Sequence, residues 1–231
     1  MILDLPSSDM GATTTRLLLL GAVALFEPVN GYQIRRELMS WQVDQWANVN
    51  PGSIYHGLGS LVSTGLAVRH DLTDGSREVA VYELTGSGRA EFERLLTEAI
   101  VTVNVFDRRD FHAAFGLVPL LETSRAAELL QRRHDALAAE LSEFPVDTTP
   151  ADFPHVPPHA VRGMQLWGAE ARAELGWLSE VLDDVRDGRL ELRPHTWTPP
   201  ADDPGHQMTA DRERYRAMIE GTEQRRGATS Q

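Results

Sequence analysis

PGSIYHGLGSLVSTGL, residues 51–66, has the composition of a short amphipathic helix. Pro51 suits the first turn of such a helix, and Gly65 suits its C-terminal cap. At about 100° per residue, one stripe collects the aliphatic side chains of the segment, which are Ile54, Leu58, Leu61 and Val62. We expect this stripe to pack on two preceding helices, so that the opposite side of the segment faces outward.

The outward side is small, polar and free of acidic residues. It consists of Gly52, Ser53, His56, Gly59, Ser60 and Ser63, with Tyr55 at the boundary. A helix that enters the major groove of DNA needs such a side, because hydroxyl and imidazole groups can bond to base edges. Glycine lets a phosphate backbone come close, and this is our interpretation of Gly59. Tight packing between helices is the alternative, and we favour it for Gly57.

Two helices are predicted before this segment. One runs over 14–26, after a flexible N-terminal arm at 1–12, and the other runs over 30–41. Asn30 is a good N-cap for the second helix. Three helices in this order are typical of a helix-turn-helix domain.

A β-hairpin is predicted after the segment, because Asp74-Gly75 lies between two β-prone runs, 67–72 and 78–84. A linking helix over 87–104 follows. The order helix, helix, helix, hairpin, helix predicts a winged helix-turn-helix DNA-binding domain over 13–104, in a fold that is mainly α.

The hairpin would be the wing of this domain. Arg77 at its tip is a candidate contact to the minor groove or to phosphate, and Arg69 on the first strand is a second candidate. Pairing of these arginines with Asp71 or Glu78 is the alternative. Tyr32, at the start of the helix over 30–41, is also assigned to the DNA-binding set.

The region 105–190 is predicted to be a helical dimerisation domain. Its last helix, over 160–186, carries small and apolar residues at spacings of four and three, the signature of a helix–helix seam: Met164, Gly168, Ala171, Leu175, Leu178, Leu182 and Val185. Trp167 flanks this seam as a bulky anchor, as does Trp177. The alternative is a seam inside one chain, against the helix over 124–144.

The C-terminal region and two tryptophans of the first domain also carry predictions. The region 191–231 is predicted to be a Pro-rich extended tail, in which 209–220 forms either a short surface helix or a disordered segment. Trp41 and Trp46 are candidates to line an effector pocket, since aromatic walls suit planar apolar ligands. Tryptophans at such positions are also common in cores and interfaces.

Composition excludes several other classes. There is no cysteine, so disulfides and cysteine-ligated metal sites are excluded. The apolar run 17–26 is too short to span a membrane, and we expect a cytoplasmic protein without membrane contact. Thr85-Gly86-Ser87-Gly88 lacks the third glycine of a nucleotide-binding turn. The Val-Pro-Pro segment between His155 and His159 prevents a helix from holding both histidines on one face as metal ligands. We predict that the protein is not an enzyme and binds no metal or cofactor.

Several motifs, in order, resemble the PadR family of transcriptional regulators. They are Gly31-Tyr32, Pro51-Gly52-Ser53-Ile54-Tyr55, Gly65-Leu66 and Tyr82-x-Leu84-Thr85-x-x-Gly88-Arg89. The region 107–187 resembles the longer subfamily, whose C-terminal part is similar to that of virulence-gene activators. The resemblance implies a homodimer that binds a palindromic operator, DNA contacts at Ser53, Tyr55 and Arg77, and a repressor released by a small aromatic or hydrophobic effector.

Charge is the main physical objection to DNA binding. The chain has a net charge of -12, and residues 13–100 contain 7 arginines and 10 acidic residues. Proteins that read nucleic acid usually carry a basic surface, although a local patch can suffice. A winged-helix protein-interaction module without DNA binding is therefore the alternative function.

Overall fold

A computed structural model of the chain describes residues 9–143, 148–193, 200–203 and 205–229. The chain divides into two compact units, Met1–Leu95 with Thr196–Gln231, and Leu96–His195. We call them the first and second unit. Most of the predicted N-terminal arm, residues 1–8, lies outside the described residues, and a helix already begins at Asp9.

The first unit contains the predicted winged helix-turn-helix. Its elements are α1 (Asp9–Phe26), β1 (Val29–Asn30), α2 (Gly31–Ser40), α3 (Val43–Trp46), α4 (Pro51–Ser63), β2 (Ala67–Asp74), β3 (Arg77–Leu84) and the start of α5 (Gly86–Val101). The three strands form one antiparallel sheet in the order β1-β3-β2. The mainly α fold with a small wing confirms the predicted fold class, while β1 and α3 were not predicted.

Local side-chain chemistry fixes where these elements begin. The Asn30 side chain accepts from the backbone N–H of Gln33 at 2.9 Å, and the Gln33 side chain accepts from the Asn30 N–H at 3.1 Å. This reciprocal pair is a capping box, which confirms Asn30 as the N-cap of α2. The Asn50 side chain caps α4 by accepting from the backbone N–H of Ser53 at 3.0 Å, without a reciprocal bond. Gly75 has a φ of 64° in the wing turn, a conformation that glycine adopts without strain.

The buried side of α4 is the predicted aliphatic stripe. Ile54, Leu58 and Leu61 have at most 2% of their surface exposed. Gly57 lies where α4 meets α1, because a Cβ built there would be 2.3 Å from the Leu19 side chain. This contact accounts for Gly57 as a packing glycine.

The second unit is helical. It contains α6 (Arg109–Leu117), a 3₁₀ turn (Val118–Leu120), α7 (Thr123–Glu143) and α8 (Pro158–Arg186), besides the end of α5. The helices α7 and α8 pack on each other.

The predicted dimer seam on α8 is largely used inside this unit. Gly168, Ala171, Leu178 and Leu182 are buried within the single chain, while Met164, Leu175 and Val185 are half-buried. The alternative interpretation, a seam within one chain, therefore accounts for the four buried residues, and they are not on the surface that a partner would meet. Trp167 is 40% exposed, and dimerisation through α8 stays a prediction.

The C-terminal region differs from the predicted extended tail. A 25-residue helix, α9 (Gly205–Thr229), replaces the short helix or disordered segment expected at 209–220. It belongs to the first unit and contacts α1, β1 and β2. No helix in the described parts of the chain is long and apolar enough to cross a bilayer.

Candidate nucleic-acid interface

The outward side of α4 is open to solvent, as the sequence predicts. Tyr55 is 48% exposed, and Gly52, His56 and Gly59 are exposed as well. Ser60 is half-buried. A Cβ built at Gly59 meets nothing within 4 Å, in contrast to the crowded Gly57. The polar side of this helix is thus accessible to a large partner, most closely at Gly59, where no side chain projects from the backbone.

The serine hydroxyls of α4 are less available than the sequence suggests. Ser53 is half-buried, and its hydroxyl donates to the Asn50 carbonyl at 2.8 Å. The hydroxyl of Ser63 donates to the Ser60 carbonyl at 3.0 Å. Such local bonds are common for serine in helices. In the free protein, Tyr55 and His56 are therefore the side chains of this face best placed to meet a base edge.

The two wing arginines behave differently. The Arg77 side chain is exposed and has no hydrogen bond or ion pair with any residue that the structure describes. Arg69 donates from Nε to Asp71 at 2.8 Å, and this hydrogen bond raises the pKa of Arg69. The pairing considered as the alternative is thus present for Arg69, whereas Arg77 keeps its charge available for phosphate.

Helix α9 covers one face of the wing sheet. Tyr215 and Ile219 pack with Leu72 of β2 and Val81 of β3, and all four side chains are at most 8% exposed. Without α9, two apolar residues of the wing would face water, so burial of this cluster favours the docked helix.

Polar contacts fix the position of α9 on the first unit. The Asn30 amide donates to the Tyr215 hydroxyl at 3.0 Å, and the Gln33 amide donates to the Asp211 carboxylate at 2.8 Å. These are the same two residues that form the capping box of α2. Arg212 donates to the carbonyls of Leu25 and Phe26 at the end of α1. Helix α9 thereby stabilises the connection between α1 and α2.

The tip of the wing is held as well. Arg214 Nη2 donates to the Asp74 carboxylate at 2.8 Å, and Asp74 pairs with Arg77 in the β2–β3 register. Nothing in the sequence pattern indicates this contact, because Asp74 and Arg214 are 140 residues apart.

A groove of about 600 Å³ runs between the start of α2, α4, the wing and α9. It brings together three of the predicted DNA-binding residues, namely Tyr32, Tyr55 and Arg77. Arg214 also lines it, together with the acidic residues Asp74, Glu78 and Asp211. The charges in the groove are mixed, so the outward side of α4 and the exposed Arg77 remain the better candidates for DNA.

The predicted effector residues lie around α3. Trp46 Nε1 donates to the backbone carbonyl of Trp41 at 2.9 Å, and both indoles are half-buried. The Trp41 ring also lies 6.5 Å from the Phe26 ring, centroid to centroid. Their role in an effector pocket stays a prediction.

Comparison with known proteins bears on this geometry directly. Residues 19–94 match the family described as transcriptional regulator PadR-like. This segment, about a third of the chain, is similar to that family. The matched segment runs from the middle of α1 into α5 and therefore includes α4 and the wing. The family is one of transcriptional regulators rather than enzymes.

Solved structures include PadR proteins of low sequence identity. Bacillus subtilis PadR with operator DNA is 18% identical, with 71% of this chain and 97% of that chain covered and a TM-score of 0.30. The same protein with p-coumaric acid is 18% identical, with 74% and 97% covered and a TM-score of 0.28. The PadR-like regulator BC1756 from Bacillus cereus is 16% identical, with 80% and 99% covered and a TM-score of 0.30. No curated protein matches the chain.

Proposed function

We propose that this chain is a sequence-specific DNA-binding transcriptional regulator, a ligand-responsive homodimeric repressor that binds a palindromic operator. The observation that carries the proposal is the open, acid-free side of α4 in a PadR-like winged helix. Tyr55 and His56 on α4 would read bases, and Arg77 would contact the phosphate or the minor groove beside them. Bacillus subtilis PadR in complex with operator DNA gives the precedent for this partner.

The acidic net charge of the chain predicts that its affinity for DNA would depend only weakly on salt concentration. Few arginines surround α4, and Arg69 is already paired with Asp71. Fewer phosphate contacts release fewer counterions, so the slope of log affinity against log salt should be shallow. Specificity would then depend more on the α4 side chains than on the phosphate backbone.

A gel-shift with the DNA upstream of the gene tests the proposal. We expect Tyr55→Ala and Arg77→Ala each to weaken binding about tenfold or more, since a good contact is worth about 1–3 kcal/mol. Arg125→Ala is the matched control, because the Arg125 side chain on α7 is 40% exposed and pairs with Glu128. Absence of binding at low salt, or equal effects of all three variants, would instead favour the protein-interaction module.

The two glycines of α4 offer a sharper test of how closely DNA approaches. Gly59→Ala should stabilise the free protein by up to about 1 kcal/mol, because alanine favours helix and the added Cβ meets open space. The same variant should weaken operator binding. Gly57→Ala should lower the free energy of unfolding, because its Cβ overlaps Leu19. Operator affinity that is unchanged in Gly59→Ala would contradict a close approach of DNA at this position.

The homodimer would use the surface of α8 that the single chain leaves exposed. Leu166 is 59% exposed, and Trp167 is 40% exposed and packs edge-to-face on Phe106 at 4.8 Å. Exposed apolar clusters of this kind are typical of interfaces. Sedimentation equilibrium should give about twice the chain mass of 25.7 kDa. Trp167→Glu should return the protein to one chain mass, and a wild-type mass of one chain would refute the dimer.

Repression and its release by a ligand are the last part of the proposal. Bacillus subtilis PadR has been solved with p-coumaric acid, which supports a small aromatic or hydrophobic effector here. Trp41 and Trp46 are the candidates from the sequence. Deletion of the gene should raise transcription from its operator, and Trp46→Ala should blunt the response to an inducer. A normal response of that variant would remove the two tryptophans from the effector site.

A further inference from the structure

The tip of the wing carries an acidic and a basic residue that face each other. Asp74 and Arg77 are partners in the β2–β3 register, on either side of the Gly75-Ser76 turn. Side chains paired in this way project from the same face of a hairpin, and opposite charges at such positions stabilise each other. The hairpin by itself would therefore hold the Arg77 guanidinium against the Asp74 carboxylate.

The structure shows a different pairing at this tip. The Asp74 carboxylate accepts from Arg214 Nη2 of α9 at 2.8 Å, while the Arg77 side chain has no such bond with the described part of the chain. The next acid along the strand, Glu78, lies on the opposite face of the hairpin, where it accepts from the Thr73 hydroxyl at 3.0 Å. Arg214 thus occupies the carboxylate that would otherwise pair with Arg77.

Contacts outside the wing hold Arg214 in this position. Its Nη2 also donates to Asp211 at 2.8 Å, and its guanidinium carbon lies 5.5 Å from the centre of the Tyr215 ring. Asp211 is 8% exposed and accepts from the Gln33 amide at the start of α2 at 2.8 Å. A guanidinium that is already fixed loses little further side-chain freedom when it binds Asp74, which favours it over an arginine at the free end of a hairpin.

We propose that Arg214 is a positioning residue for DNA binding: it holds the Asp74 carboxylate, so that the Arg77 guanidinium stays available for a phosphate. Arg214 acts through Arg77 and does not itself contact DNA. This role rests on the proposed function, because Arg77 is a contact only where the wing meets DNA. A chain with a net charge of -12 would in this way keep an unpaired cation at the wing tip, beside an acid.

Loss of either partner breaks the same ion pair but has opposite consequences for Arg77. In Arg214→Ala the Asp74 carboxylate is released and pairs with Arg77, so a phosphate must displace a carboxylate before it binds. In Asp74→Asn no carboxylate remains at the tip, and Arg77 stays available. A merely structural ion pair would instead make the two variants equivalent, because each removes the link between α9 and the wing.

A double-mutant cycle in the full chain tests this difference, with operator affinity measured by fluorescence anisotropy at low salt. We expect Arg214→Ala to weaken binding about three- to fivefold, since exposed ion pairs are weak. Asp74→Asn alone should not weaken binding. In the Asp74→Asn background, Arg214→Ala should change affinity by less than about 1.5-fold. Arg214→Lys, which keeps a cation for Asp74, should bind like the wild type.

Arg216→Ala is the matched control for the loss of one positive charge, because Arg216 is exposed on the same helix. An effect of Arg216→Ala as large as that of Arg214→Ala would assign the loss to net charge. Equal weakening by Arg214→Ala and Asp74→Asn would show that the pair only supports the wing. Equal weakening by Arg214→Ala with and without Asp74→Asn would show that Arg214 contacts DNA directly. Each of these three results overturns the proposal.

Nuclear magnetic resonance of the free chain tests the exchange of partners without DNA. Hydrogen exchange of the Arg77 Nε–H group should be slower in Arg214→Ala than in the wild type, and fast again when Asp74→Asn is added. An unchanged exchange rate in Arg214→Ala would overturn the proposal whether or not DNA binds. Failure of the wild type to bind operator DNA, with the exchange rates as expected, would refute the proposed function and leave the control of Arg77 by Arg214 standing.

Discussion

Helices α8 and α9 are both long and both lie in the C-terminal half of the chain, yet different forces hold them. Helix α8 buries a repeating row of small and aliphatic side chains against α7, including Ala171 and Leu178. Helix α9 buries few apolar side chains, and its position depends on Tyr215 and Asp211 meeting Asn30 and Gln33. The first kind of packing tolerates many apolar sequences, whereas the second requires particular partners at particular places.

The largest effect is expected where α8 is most completely buried. Leu178 is 0% exposed, so Leu178→Ala should lower the free energy of unfolding of the second unit by about 2–5 kcal/mol, through lost burial and a cavity. Urea denaturation followed by circular dichroism measures the loss. Glu180→Ala, at an exposed position of the same helix, is the control and should change stability by about 0.5 kcal/mol or less. A loss below 1 kcal/mol for Leu178→Ala would mean that α7 and α8 do not pack as described.

A smaller effect is expected for the polar support of α9. Tyr215→Phe keeps the ring in its apolar cluster but removes the acceptor of the Asn30 amide, which should cost about 1 kcal/mol. Tyr32→Phe is the matched control, because the Tyr32 side chain is exposed. Protease cleavage within α9 should also become faster in Tyr215→Phe. Cleavage at the wild-type rate, together with unchanged stability, would show that apolar contacts alone hold α9.

The smallest effect concerns the wing tip. The pair between Arg214 and Asp74 is exposed, so Arg214→Ala should cost at most about 1 kcal/mol, and less in high salt. Denaturation at low and high ionic strength measures this difference. A loss that does not depend on salt would assign the effect to packing of the Arg214 side chain on Tyr215 rather than to the ion pair.

The winged helix could be predicted because its signals are local. A cap at Asn30, a proline at position 51 and the Asp74-Gly75 turn each act within a few residues, and the aliphatic stripe of α4 repeats within one helix. The strand pair β2–β3 follows from the same turn. The open side of α4 was predicted for the same reason, since it is the complement of that stripe.

The docking of α9 could not be predicted, because its signals are distant. Tyr215 lies 185 residues from Asn30, and Asp211 lies 178 residues from Gln33. Neither pair leaves a periodic pattern in the sequence.

The contact between Arg108, which precedes α6, and Glu174 of α8 was missed for a related reason. Arg108 and Glu174 are 66 residues apart, and neither is unusual in its own segment. The seam on α8 does leave a periodic pattern, and its spacing predicts that one face of the helix is buried. The spacing does not show whether the same chain or a second copy covers that face.

The order of the elements has a consequence for how the protein is made. About 120 residues separate the end of β3 from the start of α9, so at roughly 5–20 residues per second a ribosome needs about 6–24 s to pass from one to the other. During that interval Leu72 and Val81 of the nascent wing have no cover from α9. A chaperone that recognises apolar strands would find a binding site there, and translation that stalls before α9 would leave the wing unprotected.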